Sequence, residues 1–229
     1  ADLATAKSLL ASLAGAQGQV GHLISQCQIN VMERDNGEAP CGSVSRQPNP
    51  STAVKVWLNG RAHVLETDLL HHDDFVVYQL SVSRREPERI GRLAQRLLEI
   101  ETYRNLAYLA VPMLHTLGPQ VGELDRAIDK IAEESTSDLS PEHEARILSS
   151  LTGLSAQLQS IGSKAEFRFS AAIAYARIVE ERLDELREER IEGHQRLSVA
   201  VQRRLRPNIR SCIALQARID RVSHRVSNI

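Results

Sequence analysis

The fold is decided by residues 112–134, which read PMLHTLGPQVGELDRAIDKIAEE. Apolar side chains recur there at steps of three and four residues: Leu114, Leu117, Val121, Leu124, Ile128 and Ile131. This spacing is the heptad pattern, in which the apolar positions form a narrow stripe that a second helix must cover. The stretch therefore predicts a long amphipathic helix that packs against others in a coiled-coil-like bundle.

Similar apolar stripes lie on both sides of this stretch. Residues 86–111 begin with Glu-Pro-Glu, which is typical of a helix start, and Pro112 is expected to kink or end that helix. Residues 140–161 open with Ser-Pro, an N-cap followed by proline in the first turn. Residues 164–206 predict the longest helix, which a proline interrupts, and 209–229 carry the last stripe.

Before residue 86 the period of the apolar residues changes to two. Every second residue from Val54 to Leu58 is aliphatic, and Asn59-Gly60 follows directly. This dipeptide after a strand is the strongest short signal for a β-hairpin. The return strand is expected at 61–69 and a third strand at 75–82.

The patterns together predict a mainly α fold with a small α+β unit at the N-terminus. A helix is expected at 2–18 and a strand at 22–32, next to the antiparallel strands. The predicted division is a small unit of helix plus antiparallel strands at residues 1–85, and long antiparallel helices in a bundle or stalk at residues 86–229.

The composition excludes several classes of protein. The formal net charge is −1, so no overall field favours nucleic acid. The three cysteines are an odd, sparse set that fits a reducing compartment, although a Cys27–Cys41 disulfide stays open on spacing. This stretch of chain has no run of about 18 apolar residues that could cross a bilayer.

The candidates for a metal site are His71, Asp73 and Glu99. His71-His72-Asp73-Asp74 is the densest cluster of ligand-type residues, and alternate residues of a strand share a face, so His71 and Asp73 could hold one cation. The other interpretation of this cluster is a polar turn between strands. Glu99 has Arg96 and Tyr103 at helical contact spacing, so it belongs either to a cation site or to an ion-pair network between helices.

A second candidate is the basic cluster Arg203, Arg204, Arg206 and Arg210. Near a membrane it would contact anionic lipid headgroups, and otherwise it supplies cations near the end of a helix. The sequence has no glycine-rich phosphate loop, paired-cysteine zinc spacing or nucleophilic elbow. We therefore expect no enzyme and no cofactor, with a divalent cation as the one ligand left open.

Several runs of the chain resemble a known family. They are Ile90–Arg104, Leu109–Pro112, Phe167–Phe169, Val179–Arg190 and Arg203–Pro207. Over roughly residues 53–229 the chain is similar to a bacterial family of uncharacterised membrane-anchored proteins. The layout of that family is similar to two-helix membrane proteins of the CorA magnesium-channel type, with an α/β unit, long stalk helices and a C-terminal membrane hairpin.

This resemblance implies a soluble, cytoplasmic part of an assembly anchored in the bacterial inner membrane by a segment beyond residue 229. Its role would be structural or interactive, and the heptad stripes on several helices favour a homo-oligomer. The alternative function is the regulatory cytoplasmic domain of a CorA-like divalent-cation channel or transporter.

Overall fold

The computed structural model describes residues 24–33, 53–72, 75–83, 86–135 and 140–228. Four helices make up most of the described chain: α1 (Pro87–Tyr108), α2 (Val111–Glu134), α3 (Pro141–Glu185) and α4 (Leu197–Ser227). The predicted helix at 2–18, Cys41 and Asp73 lie outside the described residues. The prediction of a mainly helical chain with a small N-terminal sheet unit is confirmed.

The six strands of the described chain form one mixed sheet. They are β1 (Cys27–Glu33), β2 (Val54–Leu58), β3 (His63–Thr67), β4 (His71–His72), β5 (Phe75–Val82) and β6 (Glu189–Arg190). Their order is β1-β5-β3-β2-β6, and β4 pairs with β5. The expectation of a purely antiparallel sheet is wrong, because β1 runs parallel to β5. Apolar alternation fixes which face of a strand is buried but carries no information on its direction.

The predicted hairpin between β2 and β3 is confirmed. Val54 to Leu58 pair antiparallel with Thr67 to His63, and the turn between them spans residues 59–62. Asn59 and Gly60 have positive φ angles of 51° and 63°, which explains why this dipeptide stands at the turn.

The helix predicted over 164–206 is wrong, because α3 ends at Glu185 and α4 begins at Leu197. Between them β6 pairs with Val56 and Trp57 of β2. The turn back into α4 uses Gly193 at a φ of 78°. Glu188 then accepts a hydrogen bond of 2.9 Å from the backbone N–H of Leu197, so it satisfies one of the free donors at the start of α4.

The effect of each proline depends on where it lies in a helix. α1 ends at Tyr108, four residues before Pro112, as predicted, and Pro112 lies in the first turn of α2. Ser140 caps α3, and its hydroxyl oxygen accepts from the backbone N–H of His143 at 3.4 Å, again as predicted. Pro207 was expected to interrupt a helix but lies inside α4.

The helices run alongside one another. Arg96 pairs with Glu185 and Glu99 pairs with Arg182, so α1 and α3 are antiparallel. Arg206 pairs with Glu180 and Ile219 lies beside Gly162, so α4 and α3 are antiparallel as well. Two apolar clusters follow from this arrangement: one joins the sheet to α1 and to the adjoining ends of α3 and α4, and the other fills the space between α2, α3 and α4.

The predicted stripe of α2 is buried in the second cluster at Leu117, Val121, Leu124 and Ile128. Its end positions Leu114 and Ile131 are half-buried. The coiled-coil character of the packing and the division of the chain at residue 85 stay predictions.

Replacing Leu124 by Asp tests the second cluster. The side chain is 7 % exposed, so an aspartate there is a buried, unpaired charge that costs roughly 3–5 kcal/mol. We expect the melting temperature to fall by roughly 10 °C in a thermal melt followed by circular dichroism. Leu148→Asp is the matched control, because Leu148 is 67 % exposed. Equal melting temperatures for the two variants would show that Leu124 does not face the cluster.

Candidate functional site

A buried charge pair lies where α1 covers the sheet. The residues of α1 that face inward include Leu97, Glu101 and Arg104, which recur at helical spacing. Glu101 is 0 % exposed and Arg104 is 4 % exposed. Arg104 Nη2 donates to Glu101 Oε1 at 2.6 Å. Ions are rarely buried to this extent, because each loses its hydration and must be compensated by a partner.

Three donors converge on the Glu101 carboxylate, two from α1 itself and one from β5. Besides Arg104, the hydroxyl of Tyr78 on β5 donates to Oε2 at 3.1 Å, and Asn105 Nδ2 donates to Oε1 at 2.7 Å. Asn105 Nδ2 also lies 3.1 Å from the hydroxyl oxygen of Ser25, just before β1. The Glu101 carboxylate therefore ties α1 to β5, and Asn105 ties α1 to the segment just before β1.

The protonation of the surrounding groups follows from burial beside this carboxylate. Burial, together with the negative charge of Glu101, raises the pKa of Tyr78 well above its usual value. The same two causes raise the pKa of the Cys27 thiol from 9.0 to about 12. Both groups are therefore protonated at neutral pH, and a protonated thiol is a poor nucleophile.

Arg104 has a second contact in this region. Its guanidinium carbon lies 5.9 Å from the ring centre of Tyr108, on the same helix one turn further on. Burial would lower the pKa of Arg104, but Glu101 and other neighbours outweigh it and the pKa is raised. The arginine is thus held in its charged form, as the pair with Glu101 requires.

Glu99, a predicted metal ligand, is engaged in ion pairs instead. It accepts hydrogen bonds from Arg182 of α3 and, at 2.9 Å, from Gln95. The hydrogen bond from Arg182, and then that from Gln95, lower the pKa of Glu99. Arg182 also pairs with Glu185 at 2.7 Å, and Glu185 pairs with Arg96 at 2.8 Å. The interpretation of Glu99 as part of an ion-pair network between helices agrees with these contacts.

The other two predicted metal ligands are His71 and Asp73. His71 lies in β4, opposite Val76 of β5, and Asp73 lies outside the described residues. Within the described part of the chain no group of three His, Cys, Asp or Glu residues could hold a metal ion. The cation site of His71, Asp73 and Glu99 stays a prediction.

The basic cluster lies on the exposed side of α4. Arg203, Arg206 and Arg210 line a shallow groove of about 400 Å³ around Pro207, whereas Arg204 lies outside it. Arg206 is partly neutralised by Glu180 of α3, at 3.5 Å. Arg206 is about 22 residues from Asn228, which is roughly 33 Å along a helix.

The Glu101 network was only partly visible in the sequence. Glu101, Tyr103 and Arg104 stand within one helical stripe, which signals a polar contact inside an apolar face. Nothing in the sequence indicates that Tyr78 and Ser25 meet this stripe, because both come from strands far away along the chain. A buried carboxylate with three donors is a tertiary feature that local spacing does not carry.

A family model of proteins of unknown function matches residues 4–229. The chain belongs to the family DUF3422. No curated protein and no solved structure matches this DUF3422 chain. The expectation of an uncharacterised family is confirmed, whereas the membrane anchor and the CorA-type layout stay predictions. Among the described residues of the DUF3422 chain, none of the helices is long and apolar enough to cross a membrane.

Replacing Glu101 by Gln should destabilise the fold far more than the same change at Glu99. The glutamine side chain keeps the shape but leaves Arg104 buried without a counter-charge, which costs roughly 3–5 kcal/mol. Glu99 and Arg182 are about a quarter exposed, so Glu99→Gln should cost less than about 1 kcal/mol. Urea unfolding gives both values, and adding Arg104→Met to Glu101→Gln should recover part of the loss. Equal losses in the two single variants would contradict a structural role of the pair.

Stability should fall as the pH rises from about 9 to about 12. The unfolded chain loses the Cys27 proton near its ordinary pKa of 9.0, whereas the folded chain keeps it to about 12. Unfolding therefore releases a proton in this range, and stability decreases with pH. In urea unfolding under reducing conditions, Cys27→Ala should weaken this pH dependence more than Cys212→Ala, since the pKa of Cys212 is raised only to about 11. An unchanged slope for Cys27→Ala would refute the assignment.

Proposed function

We propose that this chain is a structural and interaction module without catalysis, forming the part outside the membrane of a membrane-anchored helical assembly. The observation that carries the proposal is that α3 and α4 each contribute to both apolar clusters. α3 has 45 residues and is therefore about 68 Å long. A helix that packs on different partners at its sheet end and along its middle transmits displacement along its axis, so the sheet and the bundle around α2 are mechanically joined.

Cross-helix ion pairs support the same role, because they fix how the helices align along their lengths. Asp125 of α2 accepts from Arg218 at 3.1 Å and from Arg225 at 2.5 Å, both on α4. Arg225 also pairs with Asp129. Pairs this exposed are screened by solvent and contribute little to the free energy of unfolding, so their effect is on alignment more than on stability.

The polar groups of the sheet end support a role without catalysis. The Glu101 carboxylate already accepts from Arg104, Tyr78 and Asn105. Tyr78 and Cys27 are held protonated, so neither supplies an anionic nucleophile or base at neutral pH. The network thus holds α1 in place on the sheet.

A second copy of this chain is the proposed partner. Phe167 of α3 is 77 % exposed and Ile213 of α4 is 51 % exposed. Gly162 lies opposite Ile219 in the antiparallel pair, which puts Phe167 and Ile213 at about the same level along it. Large apolar side chains exposed at one level of a helix pair are typical of an association surface.

The proposal puts the membrane at the end of the bundle where α4 ends. With α4 upright, Arg203, Arg206 and Arg210 would then stand roughly 27–38 Å from that end. Their contact with headgroups requires a bundle that lies along the bilayer. The proposed location is the cytoplasmic side of the bacterial inner membrane.

The alternative, a cation-sensing domain of a CorA-like channel or transporter, depends on carboxylates that are free to bind. Glu99 is already engaged by Arg182 and Gln95. A magnesium, calcium or zinc titration separates the two functions, because an ion that binds only the folded chain raises its melting temperature. A rise would favour the alternative, and no change would favour the structural module.

The mass of this chain in solution tests the self-association. We expect light scattering to give a multiple of 25.5 kDa. Phe167→Glu combined with Ile213→Glu should reduce it to the monomer, because charges at an apolar interface lose their hydration. Leu98→Glu is the matched control, since Leu98 is 45 % exposed on α1.

A monomeric native chain, or a mass that changes equally in both variants, would overturn the association surface. Fractionation of the full natural protein tests the anchor separately. We expect it to stay with the membranes after an alkaline carbonate wash, and recovery in the supernatant would overturn the membrane-anchored assembly.

A further inference from the structure

A cavity of about 460 Å³ lies between the β2–β3 turn, the first half of α1 and the segment after α3. Four arginines line it, Arg89, Arg92, Arg96 and Arg187, together with one carboxylate, Glu86. The volume falls within the range of small-molecule sites, which is roughly 300–1,000 Å³. The structural role described above makes no use of this cavity.

The arginines reach the cavity from two separate segments. Arg89, Arg92 and Arg96 are spaced by three and four residues, so they share one face of α1. Arg187 follows α3 and has a φ of 47°, a left-handed conformation that usually belongs to glycine after a helix. A side chain at such a position is unfavourable, and here it adds a fourth arginine to the same wall.

The positive charge of the cavity is only partly balanced. Arg89 pairs with Glu86 at 2.9 Å, and Arg96 pairs with Glu185 at 2.8 Å. For Arg92 and Arg187, the described residues supply no carboxylate partner within 4 Å. The concave wall therefore keeps the charges of Arg92 and Arg187 unbalanced, and such a wall concentrates negatively charged ligands.

The rest of the wall offers hydrogen-bonding groups. His63, at the start of β3, lines the cavity and is 5 % exposed. Ser83, just after β5, contributes its hydroxyl side chain to the lining. An imidazole and a hydroxyl can both donate to oxyanions, so the cavity combines charge with directional contacts.

We propose that this cavity binds a small ligand through a phosphate monoester group. The guanidinium fork matches the geometry of phosphate oxygens, and such charge-assisted hydrogen bonds are among the strongest in proteins. A monoester carries nearly two negative charges at neutral pH, whereas a single carboxylate carries one and would leave more of the positive charge unbalanced. A free phosphorylated metabolite and the headgroup of phosphatidic acid share this chemistry.

Calorimetric titration of the native chain with inorganic phosphate and with glycerol 3-phosphate tests whether the cavity binds a free phosphorylated metabolite. Sedimentation with phosphatidylcholine vesicles, with and without phosphatidic acid, tests whether it binds the lipid headgroup. The test variant is Arg92→Gln with Arg187→Gln, and the matched control is Arg177→Gln with Arg221→Gln, two exposed arginines outside the cavity lining. All four positions lie at the surface, so both variants should fold, and an unchanged urea unfolding curve confirms it.

We expect at least one phosphate monoester probe to bind the native chain and the control equally, and to bind the test variant at least about tenfold more weakly. Binding should also weaken with added salt. Equal binding by both variants, or no binding of any probe to the native chain at millimolar concentration, would overturn the proposal. These outcomes are independent of the mass and the fractionation of the protein.

Discussion

The length of α3 is the constraint from which the rest of the structure follows. A helix of 45 residues has an apolar stripe that no single neighbour of this fold can cover, since α1 and α2 have 22 and 24 residues. α1 therefore packs on the sheet end of α3 and α2 on the middle, while the antiparallel α4 runs beside both stretches. Because α1 and α2 are separate helices joined at Leu109 and Ala110, each can tilt to suit its own cluster.

Charged side chains stabilise the structure differently at the two ends of the α3–α4 pair. Around α2 the charges stand at the rim, where Asp125 pairs with arginines that remain over 40 % exposed and are screened by solvent. Under α1 the Glu101–Arg104 pair is almost fully buried, so its two charges depend on each other and on Tyr78. The rim pairs align the helices but add little to their stability, whereas the buried pair fixes α1 on the sheet in one position.

Much of this arrangement can be predicted from the sequence, because helices and hairpins have characteristic local sequence patterns. The heptad spacing of Leu117, Val121 and Leu124, the Ser140 cap and the Asn59-Gly60 turn all depend on residues a few positions apart. The direction of β1 and the convergence of Tyr78 on Glu101 depend on contacts between distant segments, and no local spacing encodes them. The helix predicted over 164–206 is wrong at residues 186–196 for a related reason. The charged residues there are compatible with a helix, and only pairing with β2 gives β6 its extended form.

Residues 186–196, the short segment between α3 and α4, contact several parts of the fold. Its backbone leaves α3 at Arg187, adds β6 to the edge of the sheet through Val56 and Trp57, and returns through Gly193 into α4. Glu188 caps the start of α4, and Arg61 of the hairpin turn pairs with Glu189 at 3.0 Å. An uninterrupted helix over the same residues would leave β2 as an open edge and would not allow the left-handed conformation that Arg187 has beside the cavity. The interruption of the helix therefore both completes the sheet and assembles the arginine-lined cavity, so a ligand bound there would contact the sheet, α1 and the α3–α4 connection at once.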